Sequence, residues 1–152
     1  MLNRNASLLA LGLIFTPLVA LSAGQEAMKT HQDIQTEKVV YHISDSTAAR
    51  LALININNHL RATSEKAKIV VVTNAKGIDF LFEDAKDQDG NLYQPTVQEL
   101  KNKGVDFRVC NNTLVSRKIE QDRVIPEARI VPSGVAEIGR LQTLDHFVYL
   151  KP

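Results

Sequence analysis

The chain has 152 residues, of which 44% are hydrophobic, 23% charged and 5% aromatic. That composition belongs to a globular chain and excludes a disordered or collagen-like one, and the length allows one domain with a short appendage. A formal net charge of +1 gives no basic field for nucleic acid, and a single cysteine excludes a disulfide framework and a four-cysteine zinc site.

Residues 1–23 stand apart from the rest. Arg4 is their only charged side chain; an apolar run from Leu8 to Phe15 follows and continues past Pro17 to Ala20. Small residues come next at Ser22, Ala23 and Gly24. A positive start, a short apolar stretch and a small-residue cut site describe a secretory signal peptide. A spanning helix needs about 20 apolar residues, and this run is shorter and contains Pro17. Without Arg4 the chain carries 17 acidic side chains and as many basic ones. The expectation is a periplasmic or secreted protein with no stable membrane insertion after cleavage. Its one thiol would then lie unpaired in an oxidising compartment, where it is buried and inert, used between chains, or chemically active.

Residues 24–36 show no period and read as a mobile leader, with His31 solvated. From Glu37 the pattern changes to that of a domain running to Pro152. Five short, β-branched, nearly continuous apolar runs stand out: Lys38 to Ile43, Ala67 to Thr73, Val105 to Cys110, Ala128 to Val131 and His146 to Leu150. Strands buried on both faces of a parallel sheet have this composition. Helical spacing falls between them, at Ala49, Leu53, Ile56 and Leu60, at Ile78, Leu81, Phe82 and Ala85, and at Tyr93, Val97 and Leu100. Ser44, Asp45 or Ser46 can cap the first of these, Gly104 follows the third, and Ser133 can cap a helix from Gly134 to Leu144. Asp87 to Asn91 is a turn. The alternation predicts an α/β fold, a mostly parallel five-stranded sheet with helices on both faces.

In such a sheet ligands bind beyond the carboxyl ends of the strands. Those ends hold His42, Ser44, Asn74, Cys110, Asn111, Asn112, Thr113, Ser133 and Gly134. Cys110 directly precedes a predicted helix, with Asn111 or Asn112 as its cap, and helix N-terminal N–H groups favour a thiolate. Arg108, Arg117 and Lys118 are near in sequence and can add to that effect. His42 is a candidate proton partner for Cys110, as thiol chemistry often requires; His59 reads as a surface residue at a helix end. Three lookalikes carry little. Gly134, Gly139 and Arg140 lack the Lys and Ser/Thr of a phosphate loop, Asp87 and Asp89 start a calcium-loop pattern that Gly90 breaks, and Asn111 to Thr113 is a glycosylation sequon by composition alone. No metal site and no cofactor is expected.

Four segments together resemble the DsrE/DsrF-like family, its secreted branch, related to YchN-like proteins. They are Lys38 to Ile43, Ala67 to Thr73, Gly104 to Leu114 and Val131 to Ile138, with Cys-Asn-Asn-Thr-Leu and Pro-Ser-Gly-Val-Ala-Glu the more specific parts. The resemblance covers residues 37–152. It implies a flavodoxin-like three-layer sandwich, homo-oligomers (often trimers or hexamers) and sulfur handling. In members that move sulfur, a cysteine at a strand end carries a persulfide and passes it to a partner, and Cys110 stands at the matching position. Those members work in the cytoplasm with partner subunits, whereas this chain reads as exported.

Two functions follow. One is a sulfur carrier, sulfurtransferase-like, with Cys110 and His42 as catalytic residues and with sulfur donor and acceptor proteins as partners. The other is a non-enzymatic small-ligand binding or assembly module, with Cys110 as packing or a subunit contact.

Overall fold

The computed structural model describes residues 36–152. The expected signal peptide, and the expected leader apart from Thr36, lie outside them. Five strands form one sheet: β1 Lys38–Ile43, β2 Lys68–Thr73, β3 Asp106–Cys110, β4 Ala128–Val131 and β5 Val148–Leu150. All pair in parallel, in the order β4-β3-β2-β1-β5. The three central strands explain their own apolar runs. Val39, Val40, Ile69 to Val72, Phe107 and Val109 are all buried, on both faces.

Connectivity decides which helix lies where. The chain steps one way across the sheet from β1 to β4, and right-handed crossovers put the intervening helices on one face. These are α1 (Ala49–Ala62), α2 (Gln94–Asn102) and α3 (Asn111–Arg117). The last connection runs back to β5 beside β1, so its helix, α4 (Gly134–Thr143), lies on the other face. Two cores result. The larger packs Leu53, Ile56, Leu60, Val97, Leu100 and Leu114 against one sheet face. The smaller packs Ile138, Leu141 and Phe147 against Val40, Val70 and Val72 on the other. This is the expected three-layer α/β arrangement, with a strand order that differs from the 2-1-3-4-5 of flavodoxin itself. The chain leaves β3 toward one face and β4 toward the other, and a crevice opens at such a switch point.

Local signals account for most helix ends. Asp45 accepts from the Thr47 N–H at 2.9 Å and starts a 3-10 turn, Ser46–Ala48, that leads into α1. Pro95 sits in the first turn of α2, where no N–H is needed. Gly104 follows α2 in the left-handed region, at φ 93°. Ser133 caps α4 through the Ala136 N–H.

The predicted helix over Ile78 to Ala85 is corrected. Residues Ala75–Leu81 form a 3-10 helix instead, and Phe82 then pairs with Val124. Gly77 gives the reason. Its N–H donates to the Ser44 carbonyl at 3.0 Å, and a Cβ there would lie 2.0 Å from the Ile43 oxygen. The chain is pinned so tightly to the end of β1 that an α-helical turn cannot form. Among the described residues no helix is long and apolar enough to cross a membrane.

Candidate functional site at the end of strand β3

Cys110 is the last residue of β3 and occupies the N-cap position of α3. The expected caps are therefore corrected: Asn111 and Asn112 lie inside the helix, and Asn111 Oδ1 accepts from Gln121 Nε2 at 2.8 Å. Cys110 is only 5% exposed. Across the switch point, the chain after β4 brings Gly134 against it. A Cβ on Gly134 would meet Cys110 Cβ at 3.1 Å and the Thr73 carbonyl oxygen at 3.3 Å. A side chain at position 134 would make its neighbours give by a few tenths of an ångström.

Burial is the largest influence on the Cys110 thiol and pushes its pKa up. Four donors outweigh it and hold the thiol below its ordinary range: the Gly134 N–H, the Thr113 hydroxyl, and the N–H groups of Thr113 and Asn112. Thr113 is buried and fixed for this role. Its Oγ1 accepts from the Ala75 N–H at 3.1 Å, which leaves the hydroxyl proton for sulfur. Asn112 N–H also reaches the Pro132 carbonyl at 3.3 Å and ties α3 to the turn after β4.

Two of the three cations expected to help are engaged elsewhere. Arg108 donates to Asp106 from Nε at 3.0 Å and from Nη2 at 2.6 Å, and its Nη1 pairs with Glu137. Arg117 is bound by Asp79 and the Ala75 carbonyl. Lys118 ends α3 in the left-handed region. The sulfur is thus held by neutral donors, with no cation among them.

His42 lies at the end of β1, not on the sulfur. Its register partner is Val72, whose partner is Arg108. Two strand spacings and two residues therefore separate the Cα atoms of His42 and Cys110 by about 12 Å. Both ring nitrogens have other partners: Nδ1 meets the Tyr149 hydroxyl at 2.8 Å and Nε2 meets Asn74 Oδ1 at 3.1 Å. One tautomer satisfies both, with Tyr149 donating to Nδ1 and Nε2–H donating to Asn74.

The strand-end candidates thus divide. Asn112, Thr113 and Gly134 surround Cys110, and Ser133 stands beside them as the α4 cap. His42 and Asn74 form a second group on the ends of β1 and β2, beside Ser44, whose carbonyl holds Gly77. Asn111 turns away. Sequence reasoning missed Tyr149, Arg108 as a buried ion-pair residue, and Glu137. An arginine inside a buried strand run was the available signal. A cleft of about 520 Å³, lined by Arg50, Leu51, Ile54, Phe80, Lys86 and Tyr93 among others, does not include Cys110. Among the described residues, no three His, Cys, Asp or Glu side chains gather as metal ligands.

The two more specific motif segments, Cys110 to Leu114 and Pro132 to Glu137, face each other across this switch point. The family model of the DsrE/DsrF-like family matches residues 33–147. The chain belongs to the DsrE/DsrF-like family. That membership carries a general sulfur-related role. Among solved structures, the chain is similar to MTH1491 from Methanobacterium thermoautotrophicum, a protein of unknown function. They share 32% identity over 76% of this chain and 99% of that one, with a TM-score of 0.67. The ychN protein from E. coli shares the fold at 14% identity, with a TM-score of 0.57 over 76% of this chain and 99% of that one. No curated protein matches the sequence.

Proposed function

We propose that this DsrE/DsrF-like protein is an exported sulfur carrier, sulfurtransferase-like in its chemistry, that holds sulfane sulfur as a persulfide on Cys110. The carrying observation is the place of Cys110, at the N-cap of α3 and packed on Gly134 at the switch point, where neutral donors hold its thiol below the ordinary range. They favour the thiolate, the nucleophilic form of the thiol. The step needs no cofactor. With thiosulfate as donor, Cys110 Sγ attacks the outer sulfur. An Sγ–S bond forms, the S–S bond of thiosulfate breaks, and its electron pair leaves with sulfite. A second thiolate then attacks the outer sulfur, and Cys110 departs as thiolate.

His42, held by Tyr149 and Asn74, belongs in this proposal to the transfer step: it meets the incoming donor or acceptor at the neighbouring strand ends. Asn112, Thr113, Ser133 and Gly134 flank Cys110 in this proposal, and Ser44 and Asn74 stand with His42 at the ends of β1 and β2. Export is supported by the charge and apolar pattern of residues 1–23. Association of copies is supported by β5, an edge strand with Val148 and Leu150 exposed.

Intact mass of the mature protein, before and after thiosulfate or polysulfide, tests the carrier function. The expected gain is one sulfur atom, reversed by reductant and absent in Cys110→Ser. The second function, a binding or assembly module with Cys110 as packing, has the burial of that residue on its side. No mass gain from several donors, with a thiol that resists alkylation until unfolding, decides for it.

A further inference from the structure

Arg108 is a charged side chain inside the fold, 5% exposed. For stability alone it is a poor choice, because an apolar residue of similar volume usually serves at least as well as a buried ion pair. Its position supplies another reason. Arg108 precedes Cys110 by two residues on β3, so the two share the sheet face that α4 covers. Asp106, two residues earlier again, holds its Nε and Nη2 and points its Nη1 at Glu137. Glu137 lies one helical turn beyond Gly134, the residue packed on Cys110. A closed circuit results: from Cys110 to Gly134, along the first turn of α4 to Glu137, across to Arg108, and back along β3.

No large apolar side chain anchors the first turn of α4. Its large buried side chains are Ile138 and Leu141, both beyond the first turn. We propose that Glu137 is a positioning residue for the Cys110 thiolate: its ion pair with Arg108 clamps the first turn of α4 onto β3 and so keeps the backbone of Gly134 packed on Cys110. The proposal rests on Cys110 working as a thiolate. The charged groups that bear on Glu137 are Arg108 from β3 and Arg140 from its own helix. Asp106 and Arg129 act through Arg108, and Asp145 acts through Arg140.

The test is the pH profile of Cys110 alkylation by iodoacetamide in the folded mature protein. Glu137→Gln should move the profile to higher pH and slow alkylation at neutral pH several-fold, by up to about tenfold for each pKa unit of displacement. Asp145→Asn, at the outer end of the same ladder, should leave the profile in place. An unmoved profile in a folded Glu137→Gln protein overturns the proposal, as does an equal displacement in Asp145→Asn. If Glu137→Gln does not fold, Glu137→Asp serves in its place: the charge stays, the reach is shorter by one methylene, and a displaced or unmoved profile has the same meaning. A wild-type thiol of lowered pKa that takes up no sulfane sulfur ends the carrier function and leaves this proposal standing.

Discussion

Gly134 packs directly on Cys110, where an added Cβ would lie 3.1 Å from the cysteine's own, across the point where β3 and β4 send their chains to opposite faces of the sheet. Topology creates this contact. One partner ends its strand, the other begins the only helix on its face among the described residues, and neither spacing in sequence nor local propensity links them.

Gly134→Ala should strain this contact. The added methyl would meet Cys110 Cβ at 3.1 Å and the Thr73 carbonyl oxygen at 3.3 Å, both on residues that end buried strands. Overpacking of this kind costs about 1–3 kcal/mol. Thermal unfolding should show that loss, and alkylation of Cys110 at neutral pH should slow as the N–H is pushed off the sulfur. Unchanged stability together with an unchanged rate would mean that α4 can shift freely.

Thr113→Val tests the hydroxyl with shape nearly preserved. The substitution removes a donor from the sulfur and strips the Ala75 N–H of its acceptor. Leaving one buried donor unsatisfied costs about 1–3 kcal/mol. The Cys110 pKa should rise. Thr113→Ser, which keeps the hydroxyl, should recover most of both effects, and a serine variant no better than valine would point to the lost methyl instead.

The lowered pKa of Cys110 also sets a pH dependence of stability. Between the folded pKa and the ordinary thiol value, near 8.5, the unfolded chain holds a proton that the folded chain does not. Stability therefore rises with pH through that window. The contribution is complete above the ordinary value and is lost as pH falls through the folded pKa. Measured as the difference in unfolding temperature between the protein and Cys110→Ser, it should grow from neutral to mildly alkaline pH and then level off. A difference that stays flat would show that the thiol ionises at the same pH in both states.

The strands were legible because runs such as Ile69 to Val72 are apolar at every position, which only burial on both faces requires. The faces of α1 and α2 and the Ser133 cap followed from spacing for similar reasons. The segment from Ala75 to Ala85 was not legible, because its conformation is set by Gly77 docking on the end of β1, a tertiary contact that overrides the local period. The cap of α3 was misplaced because the strand runs straight into the helix, with no intervening turn for an asparagine to occupy. The strand ends named the right neighbourhood for the site. Strand order was needed to divide it into a Cys110 group and a His42 group.

That division carries a last prediction. Were His42 the base that ionises Cys110, His42→Gln would slow alkylation and displace its pH profile. The geometry argues otherwise: its nitrogens are held by Tyr149 and Asn74, and strand β2 intervenes. His42→Gln should therefore leave the alkylation profile of Cys110 where it is. In the carrier function the same variant should slow passage of sulfur from the loaded protein to a thiol acceptor, because the group that meets the acceptor is altered while the persulfide still forms. Single-turnover transfer from protein pre-loaded to equal mass separates the two steps. Slower transfer with unchanged alkylation assigns His42 to the exchange. Displaced alkylation would mean that His42 reaches the sulfur after all, and unchanged rates in both would leave it holding Tyr149 and the β5 edge.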